Sequence, residues 1–420
     1  MDTELVRTNK MWLSRLLRWS VLGICWTSYI FYRGCVIGQI KYDREKGKLI
    51  IQPRNIWTKR IALCLKIIAF SLNYFGIPYF SIAFILFLPM EISKTMFSAP
   101  KFFEILMSSV IVQLSIINSI RLCYWMSSLP WNRSFVGLVN DVIDITNLME
   151  STVGPLYLEG IFLLILHTFQ FGLTMLQIVG YSQMQFHIFS LYNLLLELFF
   201  NIFVVYQLLL LSWIATLNRF LKIYLQDRKQ IKRQRLKVIK LFRLYSRISN
   251  VHTSIHVIWL PVIGMLFSDI LLLVSSSAFI IRSIIFKHWI TNVILDRKYW
   301  MAALGAQSSF LRILFIGLGN DQLALLQCFI RLQLLVIDLC YSTHDQQDQN
   351  FVWDVKTLQI CFDLQLRVQP IRNRIMSVHQ ECGCPFVLDF FFCILINALC
   401  CAQYGMSFKV HSLIFSDVIS

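Results

Sequence analysis

Long uninterrupted apolar stretches alternate with short polar ones over most of the chain, and the longest of them carry almost no charge. A hydrocarbon core about 30 Å thick needs about 20 helical residues to cross it. On that measure the apolar runs predict seven membrane-spanning helices at 61–89, 102–124, 156–182, 187–215, 255–281, 299–319 and 386–408. A transmembrane β-barrel is excluded, because its strands alternate apolar and polar positions and these runs do not. An earlier apolar segment, Trp19 to Tyr32, is too short to span and has basic residues on both sides. It predicts an interfacial or re-entrant helix within an N-terminal region 1–60.

Charge then orients the spans. Residues 216–254 hold eleven basic side chains, from Arg219 to Arg247, against the single acid Asp227. Basic loops stay in the cytoplasm, so this segment is expected to be a cytoplasmic helical loop between the fourth and fifth spans. Four crossings from a cytoplasmic N-terminus return the chain to that side just there, and seven place the C-terminus outside. The expected architecture is therefore an all-α polytopic membrane protein: spans one to four over 61–215, the basic loop, spans five and six over 255–319, a cytoplasmic helical anchor at 320–385, span seven, and a short extracellular tail at 409–420. The formal charge of +16 does not signal nucleic acid, since 57% of the residues are hydrophobic and most of the excess sits in one loop.

Chemical motifs are scarce. No Walker loop, G-x-G-x-x-G, H-E-x-x-H or nucleophile elbow occurs, so no enzyme, cofactor or metal site is expected. The twelve cysteines avoid the segments assigned to the outside and require no disulfide framework. The one glycosylation sequon, Asn132-Arg-Ser134, falls in the cytoplasmic stretch between spans two and three and is expected to be unmodified. Acids within spans are Glu159, Glu197, Asp269 and Asp389. Glu197 would cost roughly 2.5–3.5 kcal/mol facing lipid and must face protein or water, either in a pocket or ion path or hydrogen-bonded to a neighbouring helix. No basic partner for these acids is evident in the pattern, which weighs against a proton-coupled transporter. A seven-helix G-protein-coupled receptor is opposed by the basic N-terminus, by the lack of an Asn-Pro in the seventh span and by the place of the basic loop.

Several short passages together resemble one family. Tyr42-Asp43-Arg44-Glu45-Lys46-Gly47-Lys48-Leu49 is similar to the aromatic-Asp-x-x-x-Gly-x-Leu passage ahead of the first span in insect gustatory receptors. Trp353-Asp-Val, Leu364-Gln-Leu and Cys384-Pro-Phe-Val-Leu-Asp389 are similar to that family's C-terminal region. The family's Thr-Tyr…Gln-Phe signature in the last span is matched outright only at Phe408; Cys400 and Cys401 stand for Thr-Tyr and Ser407 for glutamine.

The resemblance implies a multi-pass chemosensory receptor of sensory-neuron plasma membrane. It implies a ligand-gated, nonselective cation channel, assembled as a homo- or heterotetramer in the lipid membrane. The seventh helix would line the pore with Asp389, Asn397, Cys400, Cys401, Gln403, Tyr404, Ser407 and Phe408. A small-molecule tastant would bind in the outer half of the bundle among Phe169, Gln170, Gln177, Tyr181, His187, Tyr192, Asn193, Trp300 and Gln307. An odorant-type subunit needing a co-receptor is the neighbouring alternative; a transporter or a G-protein-coupled receptor lies further off.

Overall fold

In a computed structural model the protein is described over residues 40–43, 45–51, 56–71, 129–183, 187–226, 231–255, 297–342, 360–367, 371–372 and 383–419, with isolated positions between them. The elements are β1 (Ile40–Asp43), β2 (Lys48–Ile51), α1 (Ile56–Ser71), α2 (Leu129–Thr152), α3 (Ile161–Gln183), α4 (His187–Gln226), α5 (Ile231–Thr253), α6 (Arg297–Ser342) and α7 (Cys384–Ile419). Spans two and five lie almost wholly outside the described residues, and α1 covers the start of span one. At the N-terminus Trp19, Leu22, Gly23 and Trp26 are helical.

Three helices among the described residues are long and apolar enough to cross a membrane: Ile161–Gly180, Asn193–Ile223 and Ala303–Leu335. They belong to α3, α4 and α6. This is consistent with a helical membrane protein, and two of these helices are longer than a hydrocarbon core requires. The 40 residues of α4 and the 46 of α6 extend about 60 and 70 Å at 1.5 Å per residue. The line drawn at 319/320 between span and anchor accordingly falls inside one continuous helix, and α7 runs on through the segment assigned to a C-terminal tail.

Paired contacts set the helix directions. Tyr157 meets Thr216, Glu159 meets Ser212, Gln170 meets Glu197 and Ile178 meets Ser190, so α3 and α4 form an antiparallel hairpin. Arg312 meets Glu197, Gly319 approaches Gln207 and Leu326 accepts from Asn218, so α6 runs parallel to α4. Asp321 meets Cys384, Gly317 approaches Val387 and Phe310 meets Phe391, so α7 is antiparallel to α6. Those directions are the ones expected if the predicted spans three, four, six and seven follow one another in a serpentine chain.

The stretch between spans two and three, given no element above, is the 24-residue helix α2. It is too polar to span but strongly two-faced: Trp131, Phe135, Leu138, Ile145 and Met149 are all buried at helical spacing. Trp131 stacks on Phe135 and meets Phe199 of α4 with ring centroids 6.1 Å apart. Asn132, the sequon residue, has no exposed surface. A glycan has no room there.

The fold is helical as expected, and residues 40–51 add one small antiparallel hairpin to it with Asp43 opposite Lys48. Asp43 Oδ1 accepts from the backbone N–H groups of Glu45 and Lys46, and Gly47 takes φ +60°, a conformation other residues adopt with difficulty. The Asp-x-x-x-Gly passage is therefore turn chemistry. Leu49 of β2 exchanges both backbone hydrogen bonds with the Asn140 amide of α2, at 2.9 and 3.0 Å.

Beyond the apolar part of α4, the helix α5 packs against α2, α4 and the far half of α6. Gln327 of α6 gathers this region: its amide donates to the Ile371 carbonyl at 2.9 Å and its oxygen accepts from the Tyr245 hydroxyl and the Ile371 N–H. Phe362 closes over Tyr245 with centroids 5.0 Å apart. Arg331 and Arg367 share Asp363 at 2.7 and 2.8 Å, half-exposed pairs of little energetic weight.

Candidate functional site

A layer of buried polar side chains crosses the middle of the α3–α4–α6 bundle. On α3 the positions His167, Gln170, Thr174 and Gln177 follow one another at intervals of three and four and share one face. On α4 the interval is four: Asn193, Glu197 and Asn201. On α6 it is Ser308, Ser309 and Arg312. All are buried. Gln170 lies nine residues into the Ile161–Gly180 stretch, about 13 Å from its start, near the middle of any membrane that stretch crosses.

At the centre Arg312 pairs with Glu197 at 3.1 Å, the two side chains 2% and 1% exposed. Arg312 also donates to Thr174 Oγ1 at 3.1 Å. The Gln170 amide donates to Glu197 Oε2, Thr174 Oγ1 and Ser308 Oγ at 3.0, 2.9 and 3.3 Å, and the two hydroxyls of Thr174 and Ser308 lie 2.7 Å apart. Arg312 is thus the basic partner that the sequence pattern does not reveal for Glu197. Of the two readings of Glu197 given above, hydrogen bonding to neighbouring helices describes its state here. Neither charge could face lipid cheaply, and together with three neutral hydrogen-bonding groups they offset each other's desolvation.

The layer is not saturated. Glu197 Oε1 is buried without a hydrogen-bond partner, and the His167 imidazole stands beside the side-chain amides of Gln170 and Asn201. His167 sits among Phe171, Phe200 and Phe315, at centroid distances of 6.2, 5.7 and 6.1 Å. A carboxylate oxygen such as Glu197 Oε1 usually finds a protein or water partner when buried.

The structure gathers some of the predicted ligand residues and separates others. Gln170, Gln177 and Asn193 are buried on the facing sides of α3 and α4. Gln177 stands two turns beyond Gln170, and Asn193 one turn beyond Glu197, toward the α3–α4 turn. Phe169 and Trp300 are 60% and 57% exposed, and Gln307 is exposed as well. Tyr181, His187 and Tyr192 lie on α3 and α4 with side chains outside the described residues. Thr174, Ser308, Arg312, Asn201 and His167 are the residues sequence reading passes over. The available signal was Arg312 itself, a lone cation in the apolar run from Leu311 to Phe315.

The other predicted set lies on α7. Asp389, Asn397, Cys400 and Gln403 are exposed, and Cys401, Tyr404, Ser407 and Phe408 lie on the same helix with side chains outside the described residues. Among the described residues the helix touches its neighbours along a narrow stripe. Val387, Ile394 and Ala398 are buried there, the first two among Leu273, Ile313, Phe310 and Leu314.

No family model matches the chain. It is similar along almost its whole length to the gustatory receptor-like 43a protein of Drosophila melanogaster, with 24% identity over 406 residues, covering 93% of this chain and 91% of that one. The match supports a divergent insect gustatory receptor-like family, the family the short passages above resemble.

Proposed function

We propose that this chain is a chemosensory receptor of the insect gustatory type, acting as a ligand-gated nonselective cation channel in the sensory-neuron plasma membrane, with four subunits around a pore lined by α7. The observation that carries the reading is the register of α7. At about 100° per residue, Val387, Ile394 and Ala398 fall on one side of the helix. Asp389, Cys393, Asn397, Cys400 and Gln403 fall within an arc of roughly 120° on the opposite side. The polar side therefore faces away from the subunit's own α6. A lone subunit would offer that arc to lipid, where a carboxylate and two amides are costly. Other copies around a central axis would give it water.

An apolar helix with sparse neutral polar groups and one acidic ring suits a pore that closes by dewetting and favours cations. In this reading the tastant binds in the outer half of the bundle, where Gln177 and Asn193 stand about 6–10 Å above the ion pair. The buried polar cluster forms the floor of that site. Such a floor favours small molecules with groups able to hydrogen-bond. The region of α2, α5, the far half of α6 and residues 360–372 serves as the cytoplasmic anchor.

Native mass in mild detergent tests the assembly. A species near four times 49.3 kDa supports the shared pore, and a clean monomer with saturable substrate flux and no open-channel current replaces it with a transporter. Asp389→Asn should lower single-channel cation conductance severalfold while leaving assembly intact. Unchanged conductance would remove Asp389 from the pore.

A further inference from the structure

Helix α7 begins without a cap of its own. Its first intrahelical hydrogen bond runs from the Val387 N–H to the Gly383 carbonyl at 3.1 Å, so Gly383 occupies the position where Ser, Thr, Asp or Asn usually accepts from the first turn. Gly383 has no side chain to do this. Asp321 of α6 does it instead: its Oδ2 accepts the Cys384 N–H at 2.7 Å, placing a carboxylate at the positive end of the helix. A Cβ on Gly383 would lie 2.5 Å from Asp321 Oδ1. A cap at 383 and the acceptor from α6 cannot both be present.

One turn back along α6, Gly317 lets the two helices touch, since a Cβ there would collide with Val387 Cγ2. Ile313, Gly317 and Asp321 recur every four residues on the face of α6 that meets α7. Ser308 and Arg312, also four apart, lie on the face that meets α3 and α4. One rigid helix therefore carries the buried ion pair on one side and the seat of α7 on the other, with Arg312 and Gly317 little more than a turn apart.

We infer that Asp321 is a positioning residue that fastens the start of α7 to α6, and that α6 passes the state of the Glu197–Arg312 cluster to α7 through this seat. A shift of Arg312 relative to Glu197 moves the 317–321 face, and the carboxylate carries the first turn of α7 with it. This deepens the reading of α7 as the gated element, but the seat itself exists whether or not current flows.

Hydrogen–deuterium exchange on the full-length protein in detergent tests it, read over the peptide spanning 384–391. Asp321→Ala should speed exchange there about fivefold, the scale of a lost helix cap, and Asp321→Glu should restore part of the protection. Ser308→Ala and Glu197→Gln, which touch only the opposite face of α6, should raise exchange in the same peptide. Combined with Asp321→Ala they should add little, because the connection is already cut.

Two results would overturn the inference: no change at 384–391 in Asp321→Ala, or faster exchange around 170 and 197 in Ser308→Ala with 384–391 unaltered. If Glu197→Gln fails to fold, Ser308→Ala alone decides the second point. Exchange coupling without any current from the parent protein would sink the channel reading and leave the seat standing.

Discussion

The polar layer of α3, α4 and α6 and the helix α7 are both apolar in sequence, yet they are held in opposite ways. The layer is enclosed on all sides, with an ion pair fixed by groups from three helices. Helix α7 rests on α6 along one stripe and leaves Leu388, Phe392 and Ile396 more than half exposed. A region locked by several mutually dependent hydrogen bonds has few arrangements open to it. A helix with a single seat can rotate or tilt as a body once the seat shifts. The contrast separates a tightly held part from a loosely held one, and it ranks the perturbations that would disturb each.

The largest effect belongs to the layer. Arg312→Ala leaves Glu197 buried without its counter-charge and should destabilise the fold by about 3–5 kcal/mol. The check is the yield of monodisperse protein and its melting temperature in detergent. Arg312→Gln combined with Glu197→Gln removes both charges and should recover most of that loss. If Arg312→Ala is as stable as the parent, the layer is not locked and the contrast with α7 falls.

The seat comes next. Gly317→Ala forces a methyl against Val387 and should cost about 1–3 kcal/mol through overpacking. Val387→Ala in the same chain should relieve it. A thermal shift in the single variant that the double variant does not reverse would mean that the glycine acts elsewhere.

A smaller effect lies in the region of α5. His252 is buried between the Tyr206 hydroxyl at 3.3 Å and the Arg372 carbonyl at 3.1 Å. Burial holds its pKa below the usual value of 6.5, and the hydrogen bond to the Arg372 carbonyl offsets this only in part. With the folded pKa depressed, the unfolded chain binds the proton first. Stability is full above about pH 6.5 and falls as the pH drops from there through the folded value. His252→Gln should flatten the melting temperature across that acid window and leave it nearly unchanged at pH 8.

Much of this contrast was legible in the sequence, and what was not has a physical reason. Apolar runs located α3, α4, α6 and α7 because length against bilayer thickness is a local property. Helix α2 was missed because the same test asks only whether a segment can span. The spacing of Trp131, Phe135, Leu138, Ile145 and Met149 carried its amphipathic signal all along. The Glu197–Arg312 pair joins residues 115 positions apart, and no local pattern announces which acid a lone arginine will meet. The Asp321 cap was hidden for the same reason: a missing cap at Gly383 is visible in sequence, but not the helix that supplies it.

The amide of Asn140 has one more consequence. A two-stranded sheet leaves the outer rim of each strand with unspent donors and acceptors, an open invitation to strands from other molecules. By taking both the N–H and the carbonyl of Leu49, Asn140 acts as a one-residue imitation of a third strand, and a helix thereby closes the side of β2 on which a foreign chain would otherwise begin to stack.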